Sequence, residues 1–117
     1  MRTYKRILVP TDFGESSLQA LDVAVDLSEN FSASLTLLHT CDVPTAAVHE
    51  QFEAALAALQ KRLPGAKGIL TEGTSWRRIL GAIEETGADL VVMAEDGPVA
   101  GAAHTAVAAW RRLSSAA

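Results

Sequence analysis

Four short apolar runs recur along this chain, and they alternate with segments whose apolar residues repeat at helical spacing. The runs are Ile7 to Val9, Leu35 to His39, Lys67 to Thr71 and Leu90 to Met93, of which the third is the weakest. Continuous rather than alternating apolar runs are typical of strands buried on both faces of a parallel sheet. Parallel neighbours need long crossover connections, usually helices. The alternation therefore predicts the α/β fold class.

The helical segments complete this order as βαβαβαβα. The first follows the turn after the first strand, the second runs from Thr45 to a stop at Pro64-Gly65, the third from Trp76 to a left-handed cap at Gly87, and the fourth from Pro98 to about Leu113. Such an order predicts an open parallel sheet with right-handed crossovers and helices on both sides. Ligands of these sheets bind beyond the carboxyl ends of the strands, where the winding direction reverses.

Size, charge and cysteine content limit the possible functions. The 117 residues predict a single domain over residues 1–117. Acidic residues outnumber basic ones by 14 to 10, giving a net charge of −4 without a basic cluster, so we expect no nucleic-acid binding. The apolar runs are too short for a membrane span, and we expect no membrane association. Cys41 is the single cysteine, and the N-terminal residues show no signal-peptide pattern, which together predict a cytoplasmic protein.

The turn after the first strand is the first candidate site. It leads from a buried strand into a helix, so its backbone N–H groups and the helix dipole can hold a polar ligand. Asp12 can accept hydrogen bonds from a ribose hydroxyl or an adenine amino group, or can satisfy amides of its own turn, and the residues leave both roles open. His39 is interpreted as a structural histidine at a strand end. The three histidines lack metal-site spacing, and no catalytic arrangement is visible, so we expect neither a metal site nor an enzyme.

Three stretches of the chain resemble the universal stress protein family. They are Lys5 to Leu21 (KRILVPTDFGESSLQAL), Leu37 to Asp42 (LLHTCD) and Glu72 to Gly97, and the combination of PTDF-x-E-S with GADLVVM is the most specific part. The resemblance implies a sheet order of 3-2-1-4-5. Because only Ser114 to Ala117 follow the predicted fourth helix, we expect the order 3-2-1-4, with the family's fifth strand missing.

The resemblance also implies where an adenosine would bind. ATP-binding members hold adenosine with the Pro-Thr-Asp turn and the end of the second strand. The matching residues here are Pro10, Thr11, Asp12 and Thr40.

A loop after the fourth strand holds the ribose and phosphates in those members, with the form G-x-x-G-x9-G-[ST]. The matching stretch runs from Met93 to Gly101, and its candidate binding residues are Met93, Gly97 and Gly101. Ala94 replaces a glycine, so its Cβ keeps the backbone away from phosphate oxygens. Pro98 removes an N–H donor. We therefore expect a weakened phosphate site.

Two acidic residues in the same loop weaken it further. Glu95 and Asp96 would approach a triphosphate, and like charges about 4 Å apart repel by about 1 kcal/mol in water and roughly 4 kcal/mol at an effective dielectric constant near 20. Only a bridging Mg²⁺ would reverse this repulsion. The expected ligand is thus an adenine nucleotide in the form of AMP, adenosine or weakly bound ATP, and no structural metal is expected.

The missing fifth strand has a consequence for partners. The fourth strand, Leu90 to Met93, would become an apolar sheet edge, which favours a homodimer or another protein partner at that edge unless the final helix or the tail covers it. Two functions remain open. One is a universal stress protein-like module that retains the adenosine half of the site, and the other is a nucleotide-free interaction or dimerisation module of the same fold.

Overall fold

The computed structural model describes residues 4–11, 15–73, 76–95 and 106–111. Its elements are β1 (Arg6–Thr11), α1 (Glu15–Phe31), β2 (Ser34–Cys41), α2 (Ala46–Arg62), β3 (Lys67–Glu72), α3 (Trp76–Thr86), β4 (Leu90–Glu95) and β5 (Ala106–Arg111). They form one sheet with the order β3-β2-β1-β4-β5, in which the first four strands are parallel. The predicted α/β class and the predicted order 3-2-1-4 are confirmed.

The end of the chain differs from the prediction. Residues Ala106–Arg111 form a fifth strand instead of part of a fourth helix, and β5 pairs antiparallel with β4 from Leu90↔Arg111 to Glu95↔Ala106. The rest of the predicted helix lies outside the described residues. The physical reason is the neighbour that β4 offers, because strand formation depends on an available partner more than on intrinsic preference. The connection, residues 96–105, is shorter than the crossover of a dozen or more residues that parallel strands need, so the pair is antiparallel.

This correction also changes the expected partner surface. The strand β4 lies between β1 and β5 and is not a sheet edge. The predicted association through an exposed fourth-strand edge is therefore wrong, since that edge already pairs within the chain.

Helices cover the two faces of the sheet unequally. The helices α1 and α2 pack on one face, where α1 contacts β1 and β4 and α2 contacts β3, while α3 packs against β1 and β2. Successive strand residues point to opposite faces. Ile7 and Val9 therefore belong to the core under α1 and α2, and Leu8 belongs to the core under α3, where it lies with Ala82 and Ile83. This double burial explains why the run in β1 is continuous.

The predicted helix ends agree with the structure. Thr45 is the N-cap of α2, and its hydroxyl accepts a hydrogen bond from the N–H of Val48 at 3.2 Å. The helix α2 ends at Arg62, just before Pro64-Gly65. Gly87 follows the end of α3 with φ +68°, the left-handed conformation expected of a glycine at this position.

Gly68 in β3 allows the close approach of α2, which gives a first testable prediction. A Cβ at this position would lie 2.7 Å from Cζ of Phe52 and 2.8 Å from Cδ2 of Leu56. We expect Gly68→Ala to lower the free energy of unfolding by about 1 to 3 kcal/mol in urea denaturation, because Phe52 is buried and has little room to move.

Gly81 in α3 supplies the matched control, since a Cβ added there would meet nothing within 4 Å. Gly81→Ala should raise the free energy of unfolding by roughly 0.5 to 1 kcal/mol, because alanine is the better helix former. Changes of the same sign in the two variants would contradict the close packing described at Gly68.

Candidate functional site

The sheet has a switch point beside its central strand. From β1 the chain moves outward through β2 to β3, and then returns to the other side of β1 as β4. The strands β1 and β2 pair as far as Thr11↔His39, whereas the described pairs of β1 with β4 end at Leu8↔Val91. Beyond that pair Pro10 has no N–H to donate. The carboxyl edge thus opens between β1 and β4, where sheets of this kind bind ligands.

Three candidate residues lie together at this opening. Pro10, Thr40 and Met93 come from β1, β2 and β4, which are adjacent in the sheet, and all three side chains are half-buried. Each lies two residues beyond a fully buried residue of the α3 face, namely Leu8, Leu38 and Val91. Because strand side chains alternate, the three share this face. We call Pro10, Thr40 and Met93 the carboxyl-edge shelf.

Thr11 belongs to the same edge but is held from the opposite face. Nδ1 of His39 lies 2.7 Å from the carbonyl oxygen of Thr11. A carbonyl only accepts, so this nitrogen carries the proton and donates it. His39 is 8% exposed, and its hydrogen bond joins the ends of β1 and β2 just where the chain continues to Asp12. This agrees with its interpretation as a structural histidine.

Three of the predicted site residues lie outside the described part of the chain. They are Asp12, Gly97 and Gly101. The roles assigned to them from the resemblance stay predictions. The described strands that precede them in the chain, β1 and β4, border the opening.

The edge continues across β2 to β3. Sγ of Cys41 lies 3.9 Å from the carbonyl oxygen of Thr71, and the N–H of Gly73 donates to the carbonyl oxygen of Cys41 at 2.7 Å. By strand alternation Cys41 points away from the shelf. These contacts join the ends of β2 and β3 beside Thr40.

One residue of this edge was missed in the sequence reasoning. Val43 lies in the loop after β2, and it is 63% exposed although it is apolar. Loops that follow strand ends line the ligand sites of such sheets. The available signal was an apolar residue in the loop, two positions after the end of the strand.

In residues 4–11, 15–73, 76–95 and 106–111, no group of three or more His, Cys, Asp or Glu side chains could hold a metal ion. Within the same ranges, no helix is long and apolar enough to cross a membrane.

The parallel core, the switch point and the opening beside β1 define a doubly wound α/β protein. Residues 3–107 match the model of the universal stress protein family. The chain therefore belongs to the universal stress protein family, as the resemblance of its motifs implied.

Solved structures of this family have the same fold. A universal stress family protein from Burkholderia pseudomallei is 26% identical over 77% of this chain and 80% of its own, with a TM-score of 0.67. UspA from Lactobacillus plantarum is 23% identical over 89% of this chain and 86% of its own, with a TM-score of 0.64. A universal stress protein in complex with cAMP is 21% identical over 77% of this chain and 71% of its own, with a TM-score of 0.65. Among curated proteins, none matches the chain.

Proposed function

We propose that this chain is a stress-response module that binds the adenosine part of an adenine nucleotide at the carboxyl-edge shelf. The observation that carries the proposal is the placement of Pro10, Thr40 and Met93 on one face of three adjacent strands at the switch point. Their half-buried side chains lie above a fully buried apolar floor. A flat purine needs such a surface, with few polar groups to orient it.

Each shelf residue offers an interaction that adenosine can use. The thioether of Met93 and the ring of Pro10 can pack against the purine, since methionine makes favourable contacts with aromatic rings. The hydroxyl of Thr40 can donate or accept a hydrogen bond. Asp12, which directly follows Thr11, is assigned to the ribose or the adenine amino group by family resemblance. The similar protein solved in complex with cAMP supports an adenine ligand that carries few phosphates.

The phosphates contribute little in this proposal. Ala94, Glu95, Asp96 and Pro98 follow Met93 in sequence, where a phosphate-binding loop would need glycines and free N–H groups. The module binds its ligand without catalysis, it acts in the cytoplasm, and it works as a homodimer. The outer strand β5 replaces β4 as the edge open to a second copy.

Calorimetry with adenosine, AMP and ATP, each with and without Mg²⁺, tests the proposal. We expect adenosine and AMP to bind no more weakly than ATP. Thr40→Val should weaken adenosine binding by about fivefold, the loss of one ordinary hydrogen bond. Thr71→Val makes the same change one strand farther from the switch point, at the register partner of Thr40, and should leave the affinity unchanged.

Other results would contradict parts of the proposal. Micromolar or tighter binding of ATP, with adenosine much weaker, would show that the phosphates are held after all. If no nucleotide bound, the second candidate, a nucleotide-free interaction module, would be favoured. The observation that favours this candidate is the sequence of the loop after Met93, which departs from the phosphate-binding pattern.

A further inference from the structure

A second cavity lies at the opposite end of the sheet from the carboxyl-edge shelf. It has a volume of about 290 Å³ and lies between the amino ends of β1, β2 and β3 and the last turn of α3. Arg6, Thr36, Lys67 and Glu85 line it. The proposed nucleotide site uses none of these residues.

The register and the alternation of the strands bring two cations and one hydroxyl to the same face of the amino edge. Thr36 of β2 pairs with Lys67 of β3 and, on its other side, with Leu8 of β1. Arg6 precedes Leu8 by two residues, so alternation places the side chains of Arg6, Thr36 and Lys67 on the α3 face. Arg6 is the register partner of Ser34 and so lies diagonally to Thr36, and the three neighbouring strands present arginine, threonine and lysine on one face.

These groups have no other partner among the residues that the structure describes. In the described ranges, the side chains of Arg6 and Lys67 form no ion pair, and the hydroxyl of Thr36 forms no hydrogen bond. By contrast, Arg62 pairs with Asp22 at 2.7 Å. The cavity therefore keeps two positive charges and one hydroxyl donor available for a ligand.

The side chain of Arg6 lies beside the end of α3. Its Cδ and Nη1 atoms lie 3.7 Å from the position of a Cβ built on Gly87, so the side chain extends along the turn that ends α3. Its backbone N–H is bonded to the carboxylate of Asp89 at 3.0 Å, which fixes the start of β1.

Two cations and a hydroxyl donor together favour binding of a phosphate group. Charge-assisted hydrogen bonds to phosphate oxygens are stronger than hydrogen bonds between neutral groups. The volume of about 290 Å³ is at the small end of ligand pockets and suits a small group such as a phosphate. Glu85 on the opposite wall repels a bound anion. The cavity still has an excess of positive charge, because two cations and one carboxylate line it. We infer that this amino-edge cavity binds the phosphate group of a small phosphorylated molecule.

Titration of the amide resonances with inorganic phosphate and with glycerol phosphate tests this inference. We expect both to shift the amides of Thr36 and Lys67. Arg6→Gln and Lys67→Gln should each weaken phosphate binding about tenfold, since each removes one charge-assisted contact. Glu85→Gln should strengthen it about fivefold by removing a repulsive charge.

Lys61→Gln is the matched control, because Lys61 is an exposed lysine at the end of α2 and the substitution changes the net charge equally. Equal weakening in Lys61→Gln and Lys67→Gln would overturn the inference and indicate general charge attraction. If inorganic phosphate bound but glycerol phosphate did not, the assignment to a phosphorylated molecule would be overturned. Adenosine binding tests the shelf residues Thr40 and Met93 separately from the amino-edge cavity. Absence of adenosine binding is therefore distinguishable from absence of phosphate binding.

Discussion

Replacement of Leu8 by alanine is expected to lower the free energy of unfolding by about 3 to 4 kcal/mol, within the range for fully buried leucines. Leu8 lies in the central strand and is 0% exposed. It packs with Leu38, Val91 and Ile83 between the sheet and α3. Alanine would leave a cavity that the surrounding strands cannot close, because each is fixed by pairing on both sides. Urea denaturation measures the loss.

Leu80→Ala is the control for this prediction. Leu80 also belongs to α3, but it is 44% exposed, so the same truncation removes far less buried surface. We expect a loss below about 1 kcal/mol, as for most changes outside the core. Equal losses at Leu8 and Leu80 would contradict the placement of the core beneath α3.

Asp89→Ala is expected to lower the free energy of unfolding by about 2 to 3 kcal/mol, because hydrogen bonds to a carboxylate are stronger than neutral ones. The Asp89 carboxylate accepts the N–H of Lys5 at 2.9 Å and the N–H of Arg6 at 3.0 Å. Its own N–H donates to the carbonyl oxygen of Arg6 at 3.0 Å. This residue therefore joins the start of β1 to the start of β4. Urea denaturation gives the stability, and hydrogen exchange of the Lys5 and Arg6 amides reports the local bonds.

Two further variants make the test at Asp89 specific. Asp89→Asn keeps one acceptor oxygen and should lose an intermediate amount. Asp22→Ala removes an exposed ion pair with Arg62, whose side chains are 66% and 49% exposed, and should cost less than about 1 kcal/mol. If Asp89→Ala were no more destabilising than Asp22→Ala, the bridge from β1 to β4 would have little energetic importance.

The fold was largely predictable because local patterns agreed with tertiary structure. The apolar runs became the four parallel strands, and Thr45 and Gly87 marked helix ends through capping chemistry that depends only on nearby residues. Exposure was less predictable. Leu18 and Leu80 fit helical apolar repeats, yet they are 55% and 44% exposed. Periodicity indicates a face, but packing decides how much of that face is covered.

The strand β5 shows where local preference fails. Ala106–Arg111 is rich in alanine, the best helix former, and Val107 and Trp110 have helical spacing. All six residues nevertheless pair with β4. Strand formation depends on the available neighbour more than on intrinsic preference, and that neighbour is β4, for which the sequence predicted an open edge.

The candidate site was predictable as a set of strand ends but not as a surface. The motifs identified Pro10, Thr40 and Met93, whereas their common face follows from the sheet order and the register. The bond between His39 and the carbonyl oxygen of Thr11 depends on the same register. Asp89 was missed, because an aspartate before an apolar strand does not reveal which distant N–H groups it will meet.

The separation of β1 from β4 along the chain bears on how the protein is assembled during its synthesis. Arg6 and Asp89 are 83 positions apart. On the ribosome, β1 can gain β2 as a neighbour early, but its other side must wait until almost the whole described chain has emerged. Pairing over such a distance is entropically costly and tends to form slowly. The side of the central strand that pairs with β4, from Ile7↔Leu90 to Leu8↔Val91, is thus completed late in biosynthesis.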